Sequence, residues 1–147
     1  MDKISRLSSF LRDRYFDNVK AHRILSAEEG IYSEFPTSLH KSLRAVLNSS
    51  GIQKLYGHQV SAFDSISSGK DTLMVSRTAS GKTLSFLLPI LNDYVTAKQP
   101  FTTLLLYPTK ALSRDQEGTL GKLMSEVAKG KKMGTFDGDT PKEEREK

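Results

Sequence analysis

Residues 76–83 read Ser-Arg-Thr-Ala-Ser-Gly-Lys-Thr, and they lie between an apolar run of strand length and an apolar run of helix length. Asp71-Thr-Leu-Met-Val-Ser76 reads as a short buried strand, and Lys82 to about Thr96 as a strongly apolar helix. A strand, a turn of small residues and a helix, in that order, build an anion cradle. Successive backbone N–H groups of such a turn point inward. The new helix adds its unpaired N–H groups and the positive end of its dipole. Gly81 lets the backbone approach a ligand with no side chain in the way. In a phosphate loop of this kind Lys82 reaches the β- and γ-phosphates of a nucleotide and the Thr83 hydroxyl reaches Mg²⁺, with Thr78, Ala79 and Ser80 completing the cradle. The general pattern begins with Gly, and here that position is Ser76. The competing reading is a plain strand-to-helix turn with a solvent-exposed Lys82.

The elements around the loop fit one scheme. Leu7, Phe10, Leu11 and Tyr15 recur at helical spacing within residues 5–20, an amphipathic helix that packs on the core or on a partner. Ser26-Ala27-Glu28-Glu29 matches a capping box. Leu39, Leu43, Val46 and Leu47 mark a second amphipathic helix, with Pro36 as the boundary before it and Gly51 as its stop. A third helix spans His58 to Ser68, turning Val60, Phe63 and either Ile66 or Ala62 inward, and Gly69 ends it. Thr102-Thr-Leu-Leu-Leu-Tyr107 is a second buried strand between Pro100 and Pro108. Residues 110–129 form a helix with Leu112, Leu120, Leu123, Met124 and Val127 as its apolar positions and Gly130 as its stop, and Met133–Phe136 is a candidate third strand. Strand and helix in alternation imply an α/β fold with a parallel sheet.

With 147 residues, 37% hydrophobic and 27% charged, the chain is long enough for one domain with a real core. No apolar run approaches the roughly 20 residues that span a bilayer, and residues 1–16 lack the pattern of a signal peptide. Cysteine is absent, which removes disulfides and thiolate metal sites and fits an intracellular, cytoplasmic setting. A net charge of +5, spread from Lys3 to Lys147, is compatible with a surface that meets phosphate backbones.

From Gly51 onward the chain resembles the first RecA-like domain of superfamily-2 helicases of the DEAD/DEAH-box type. The likeness is carried by Leu55-Tyr56-Gly57-His58-Gln59, Gly69-Lys70-Asp71, Ser76 to Thr83, Pro89-Ile90-Leu91, Tyr107-Pro108-Thr109-Lys110-Ala111-Leu112 and Asp115-Gln116, in the family's order and spacing. That superfamily's loop does not need the first Gly. The resemblance implies a parallel-sheet P-loop NTPase (RecA-like) fold, incomplete, over residues 51–147, with residues 1–50 as a helical N-terminal extension. It implies that Gln59 reads the adenine edge of ATP through its amide, with Tyr56 near the base. The residue-level alternative is a Gln59 that caps its own helix. Pro108, Thr109 and Lys110, with Arg114 one turn on, correspond to the loop that contacts the backbone of a single strand. Gly138, Asp139 and Thr140 correspond to a turn that also approaches nucleic acid, where a simple Asp-Gly turn is the other reading. The wording Arg-Thr-Ala-Ser-Gly-Lys-Thr with Leu-Tyr-Gly-His-Gln is most similar to DNA-repair-type helicases that carry a C-terminal four-cysteine metal domain, so DNA is favoured over RNA as the single-stranded or partly duplex partner.

An NTPase also needs an acidic residue at the end of a second buried strand. No apolar run in the chain ends in Asp-Glu. The catalytic Lys82 and Thr83 therefore lack the acid that would use their metal, and the expectation is a fragment with little hydrolysis of its own, whose sheet has unpaired edges and exposed apolar faces. Two other function classes stay open: a non-enzymatic nucleotide- or nucleic-acid-binding module, and another P-loop ATPase or kinase.

Overall fold

The computed structural model describes residues 3–21, 30–76, 80–128, 130 and 132–145. Its centre is α4 (Lys82–Thr96), which packs against α3 (Gly57–Ser67), α2 (Lys41–Ser49) and α5 (Lys110–Val127). The core unites Leu39, Leu43 and Leu47 before and along α2, Leu55 and Phe63 at α3, Leu87, Leu88 and Leu91 of α4, and Met124 of α5 with Ala128 just beyond it. The apolar residues of α2 and α4 recur three and four apart, so one stripe of each helix can be buried. Within α3 it is Ala62, not Ile66, that is buried beside Phe63. Gly51 and Gly69 take positive φ (79° and 77°) directly after α2 and α3, where a helix ends most cheaply in the left-handed region.

A two-stranded antiparallel pair, β1 (Tyr32–Ser33) with β2 (Leu55–Tyr56), sets Tyr32 opposite Tyr56 and leads straight into α3. Buried Asn92 of α4 ties in the start of α2: its Oδ1 accepts the His40 backbone N–H at 2.8 Å. His40 is the N-cap of α2, and its ring Nδ1 accepts from the Ser42 backbone N–H. The capping box expected at Ser26 lies outside the described residues.

Three expectations are revised. Residues 3–14 form α1 (Lys3–Arg14), yet none of its residues is buried, and among the described residues it packs only on the 3-10 turn Phe16–Asn18 that follows. The Leu7, Phe10, Leu11 and Tyr15 stripe thus faces solvent rather than the core. Leu112, counted among the apolar positions of α5, is exposed, whereas Met124 near the other end of the helix is buried. The third revision concerns the sheet. Residues 71–76, 102–107 and 133–136 form no strand, and the β1–β2 pair is the only sheet among the described residues. Burial nevertheless alternates along the first two segments. Met74, Ser76, Thr103, Leu105 and Tyr107 are partly covered, while Leu73, Val75, Leu104 and Leu106 are 91%, 89%, 79% and 82% exposed. In these two segments covered and bare positions alternate, and Leu105 packs on the core. A strand exists only through ladder bonds to neighbours, and these segments have no such neighbours among the described residues.

Pro89 sits inside α4 and has no N–H to offer the Ser85 carbonyl one turn back. Ser85 is buried, and its hydroxyl has no hydrogen-bond partner among the described residues. Ser85→Ala removes that unsatisfied group and improves helix propensity, so it should stabilise the protein by about 1 kcal/mol. A thermal melt checks this; a lower midpoint in the variant would mean that the hydroxyl is satisfied in solution.

Candidate nucleotide and nucleic-acid sites

The loop that ends in Gly81 is held from the side by the first turn of α3. Gly81 is the N-cap of α4 and adopts φ 72°, ψ 26°, in the left-handed region. A Cβ at this position would lie 2.6 Å from Nε2 of Gln59. Glycine is required here twice over, for its backbone angle and for the close approach. Gln59 is buried and uses both ends of its amide. Oε1 accepts the Tyr56 backbone N–H at 2.9 Å, and Nε2 donates to the Gly81 carbonyl at 2.8 Å. It therefore caps its own helix, as the residue-level alternative had it, and also bridges to the loop. The neighbouring ring of His58 bonds through Nε2 to the Ser80 carbonyl at 2.9 Å.

Inside the loop the Ser76 and Ser80 hydroxyls share a hydrogen bond of 2.6 Å. The Lys82 ammonium donates to the Ser76 carbonyl at 3.0 Å and lies 3.5 Å from the Ser80 hydroxyl. The cation is thus folded back into its own turn, at the mouth of the new helix. Thr83 stands partly exposed on the first turn of α4. Thr78 and Ala79, expected to line the cradle, lie outside the described residues. On the α3 side Tyr56 stacks between two rings: Tyr32, at 4.8 Å between centroids and 25° between planes, and His58, at 5.4 Å and 11°. The Tyr32 hydroxyl lies 3.4 Å from that of Tyr56, a bond that raises the Tyr32 pKa above the ordinary tyrosine value. Sequence reasoning missed Tyr32 and His58. The dipeptide His58-Gln59 held a signal, since two polar residues with ring and amide donors open the helix directly after Tyr56-Gly57. Tyr32 had none, because its place follows from a two-residue strand pairing.

A second cluster forms where α5 meets the turn at residues 137–140. Thr109 is the N-cap of α5, and its hydroxyl oxygen accepts the Leu112 N–H at 3.3 Å. Pro108 and Lys110 flank it on the surface. Lys110 Nζ lies 2.7 Å from Asp139 Oδ1. The Arg114 guanidinium reaches Asp137 Oδ2 at 3.3 Å and Asp139 Oδ2 at 3.4 Å. The turn supports itself: Asp139 N–H donates to Asp137 Oδ1 at 2.7 Å, and Asp137 N–H to the Thr140 hydroxyl oxygen at 2.8 Å. Gly138 passes so close that a Cβ would stand 3.2 Å from Lys110 Nζ. The Asp139 N–H, seconded by the charges of Arg114 and Lys110, outweighs desolvation and holds the Asp137 carboxyl below the usual carboxylate range. A carboxyl depressed in the folded state contributes above its unfolded pKa, and that contribution fades as pH falls through the folded value. The turn therefore loosens only in acid. The residues expected at a nucleic-acid surface are brought together, and each cation already faces an acid.

The sequence model of the DEAD/DEAH box helicase family matches residues 56–147. The chain belongs to the DEAD/DEAH box helicase family. It is 36% identical over 131 residues to the uncharacterized ATP-dependent helicase YprA of Bacillus subtilis (strain 168), a match that covers 89% of this chain and 17% of that protein. It is 35% identical over 123 residues to the ATP-dependent helicase hrq1 of Schizosaccharomyces pombe, covering 82% of this chain and 12% of the relative. The crystal structure of the DUF1998 helicase MrfA bound to DNA and AMPPNP superposes with a TM-score of 0.80 at 32% identity, over 98% of this chain and 20% of that one. The family and this superposition support a RecA-like fold for the chain. The helicase chain spans at most about a fifth of the length of these relatives. No helix among its described residues is long and apolar enough to cross a membrane.

Proposed function

We propose that this chain is the ATP-binding and nucleic-acid-binding part of an ATP-dependent helicase or translocase. The observation that carries the reading is the junction at Gly81: a left-handed glycine at a helix N-terminus, with the Lys82 ammonium inside the turn and the Gln59 amide against its carbonyl. Phosphates bind at the loop, where Lys82 exchanges the Ser76 carbonyl for β- and γ-phosphate oxygens. Such an exchange is favourable because a charge-assisted bond to an anion replaces one to a neutral carbonyl. Backbone groups of Thr78, Ala79, Ser80 and Gly81 line the phosphates. Gln59 keeps one amide proton and one lone pair beyond the bonds it makes, enough for the adenine edge, and Tyr56 lies beside the base.

Thr83 fits a Mg²⁺ site in which one protein hydroxyl joins the nucleotide's own phosphate oxygens and water, since this ion keeps several waters and takes few protein ligands. The ion, when bound, neutralises charge that builds on the phosphates. Residues 71–76, 102–107 and 133–136 are the parallel strands of the sheet in the whole protein, and the alternating burial and bare apolar faces of the first two favour this. Pro108, Thr109, Lys110 and Arg114 contact a single-stranded backbone, and the turn Gly138-Asp139-Thr140 approaches it alongside them. DNA is the favoured strand, given the likeness to a helicase crystallised on DNA.

The test is ATP hydrolysis by the full-length product of the gene that encodes this chain, with and without single-stranded DNA. Stimulation by the strand is expected. Hydrolysis indifferent to nucleic acid would favour another P-loop ATPase or a kinase. Gln59→Ala should also lose the preference for ATP over GTP by roughly tenfold, the worth of one or two lost hydrogen bonds. A variant that keeps the preference and only melts earlier would leave Gln59 as a cap alone.

A further inference from the structure

We infer that His58 is a positioning residue for nucleotide phosphate: by holding the Ser80 carbonyl it aims the Gly81 N–H into the anion cradle. This deepens, and rests on, the reading of residues 76–83 as a phosphate loop. The peptide between Ser80 and Gly81 is trans, so its C=O and N–H point in opposite directions. His58 Nε2 engages the C=O at 2.9 Å. A carbonyl oxygen only accepts, so Nε2 carries the proton. With the C=O turned to His58 on α3, the trans peptide turns the Gly81 N–H away from α3.

The next peptide does not depend on a side chain in the same way. The Gly81 carbonyl accepts from the Leu84 N–H at 3.2 Å as well as from Gln59, so the helix itself orients the Lys82 N–H. The Ser80 carbonyl precedes the helix and has no such support. Among the described residues its hydrogen bond is the one from His58. Left-handed Gly81 makes this peptide especially easy to rotate, because glycine crosses between backbone regions at little cost. The His58 ring is fixed for the task by its stacking on Tyr56, which the β1–β2 pair and Tyr32 hold from the other side. A peptide free to flip offers an anion a carbonyl oxygen half of the time; a pinned one offers the N–H before the ligand arrives, which is the gain of preorganisation.

The inference is tested in the full-length protein with ATP and with inorganic tripolyphosphate, which has the phosphates and no base. His58→Phe keeps the ring and its stacking and removes the donor. His58→Gln places an amide N–H at about the reach of Nε2. The expected result is that His58→Phe weakens ATP and tripolyphosphate by the same factor, roughly tenfold, raises KM more than it lowers kcat, and leaves the ATP-to-GTP ratio unchanged, while His58→Gln restores most of the affinity. Wild-type tripolyphosphate binding by His58→Phe overturns the inference, as does a loss confined to ATP. If the Phe variant does not fold, His58→Asn against His58→Gln decides, because the shorter amide cannot span to Ser80; equal affinities of those two overturn it. Lys82→Ala is measured alongside. Undiminished tripolyphosphate binding in that variant would remove the phosphate-loop reading itself, whatever His58 does.

Discussion

Lys82→Ala loses at least about 100-fold in ATP affinity, because the ammonium makes charge-assisted bonds to two phosphates, each worth roughly 1.5–3 kcal/mol. The fold should scarcely notice. The ammonium bonds the Ser76 carbonyl and approaches the Ser80 hydroxyl, at a part-buried site that water can reach once the side chain is cut back. The Ser76–Ser80 hydroxyl bond and the bonds from His58 and Gln59 do not involve Lys82 and stay in place. Calorimetric titration with a non-hydrolysable ATP analogue, paired with a thermal melt, separates the two effects. An unchanged affinity would sink the assignment of residues 76–83, and a collapse in melting temperature would mean that Lys82 is structural.

The second large effect is expected where α5 meets the turn at 137–140. Lys110→Ala should weaken single-stranded DNA binding and lower the steepness of its salt dependence by about 0.7, the contribution of one released counterion on a single strand. Asp139→Asn should do the reverse. Asp139 lies 2.7 Å from the Lys110 ammonium and 3.4 Å from the Arg114 guanidinium, so it competes with any phosphate for both cations. These ion pairs are exposed, and such pairs contribute roughly 0–1 kcal/mol to stability; losing them costs the fold little. Removing the competing charge should tighten DNA several-fold at low salt, with the gain shrinking as salt screens the site. Fluorescence anisotropy with a labelled oligonucleotide over a salt series gives both numbers. If Asp139→Asn weakens binding instead, Asp139 serves the strand by holding Lys110 and Arg114 in position, and the competition picture is wrong.

The start of α4 at Gly81 and the helix after it were legible because their information is local. A glycine before Lys-Thr and a long apolar run after it mark a helix start, while the bonds from His58 and Gln59 that hold the glycine come from residues distant in sequence. The Lys82–Thr96 helix and the Gly51 and Gly69 stops follow from the same short-range rules. The segments 71–76 and 102–107 show the opposite. Their apolar runs were read as buried on both faces, whereas Leu73, Val75, Leu104 and Leu106 are bare. A ladder is a relation between distant segments, and hydropathy along one segment carries no word about its neighbours. The α1 stripe failed for a related reason: helical spacing reports that a face is apolar, not what it meets. At residue 59 the sequence left adenine reading and helix capping side by side. One amide turned out to cap the helix and brace Gly81 together, which spacing could not reveal because residues 59 and 81 are joined only in space.

The close approach at Gly81 has a mechanical meaning. Nε2 of Gln59 lies 2.6 Å from where a Cβ on residue 81 would stand, and the same atom is bonded to the Gly81 carbonyl at 2.8 Å. Contact prevents the two helix ends from closing further, and the bond resists their parting. The starts of α3 and α4 are thus tied at this point by a buried side chain. Any displacement of the loop is passed through Gln59 to the Tyr56 backbone, and from there into the β1–β2 pair. Residues 81 and 32 thus stand at the two ends of one run of contacts through Gln59 and Tyr56.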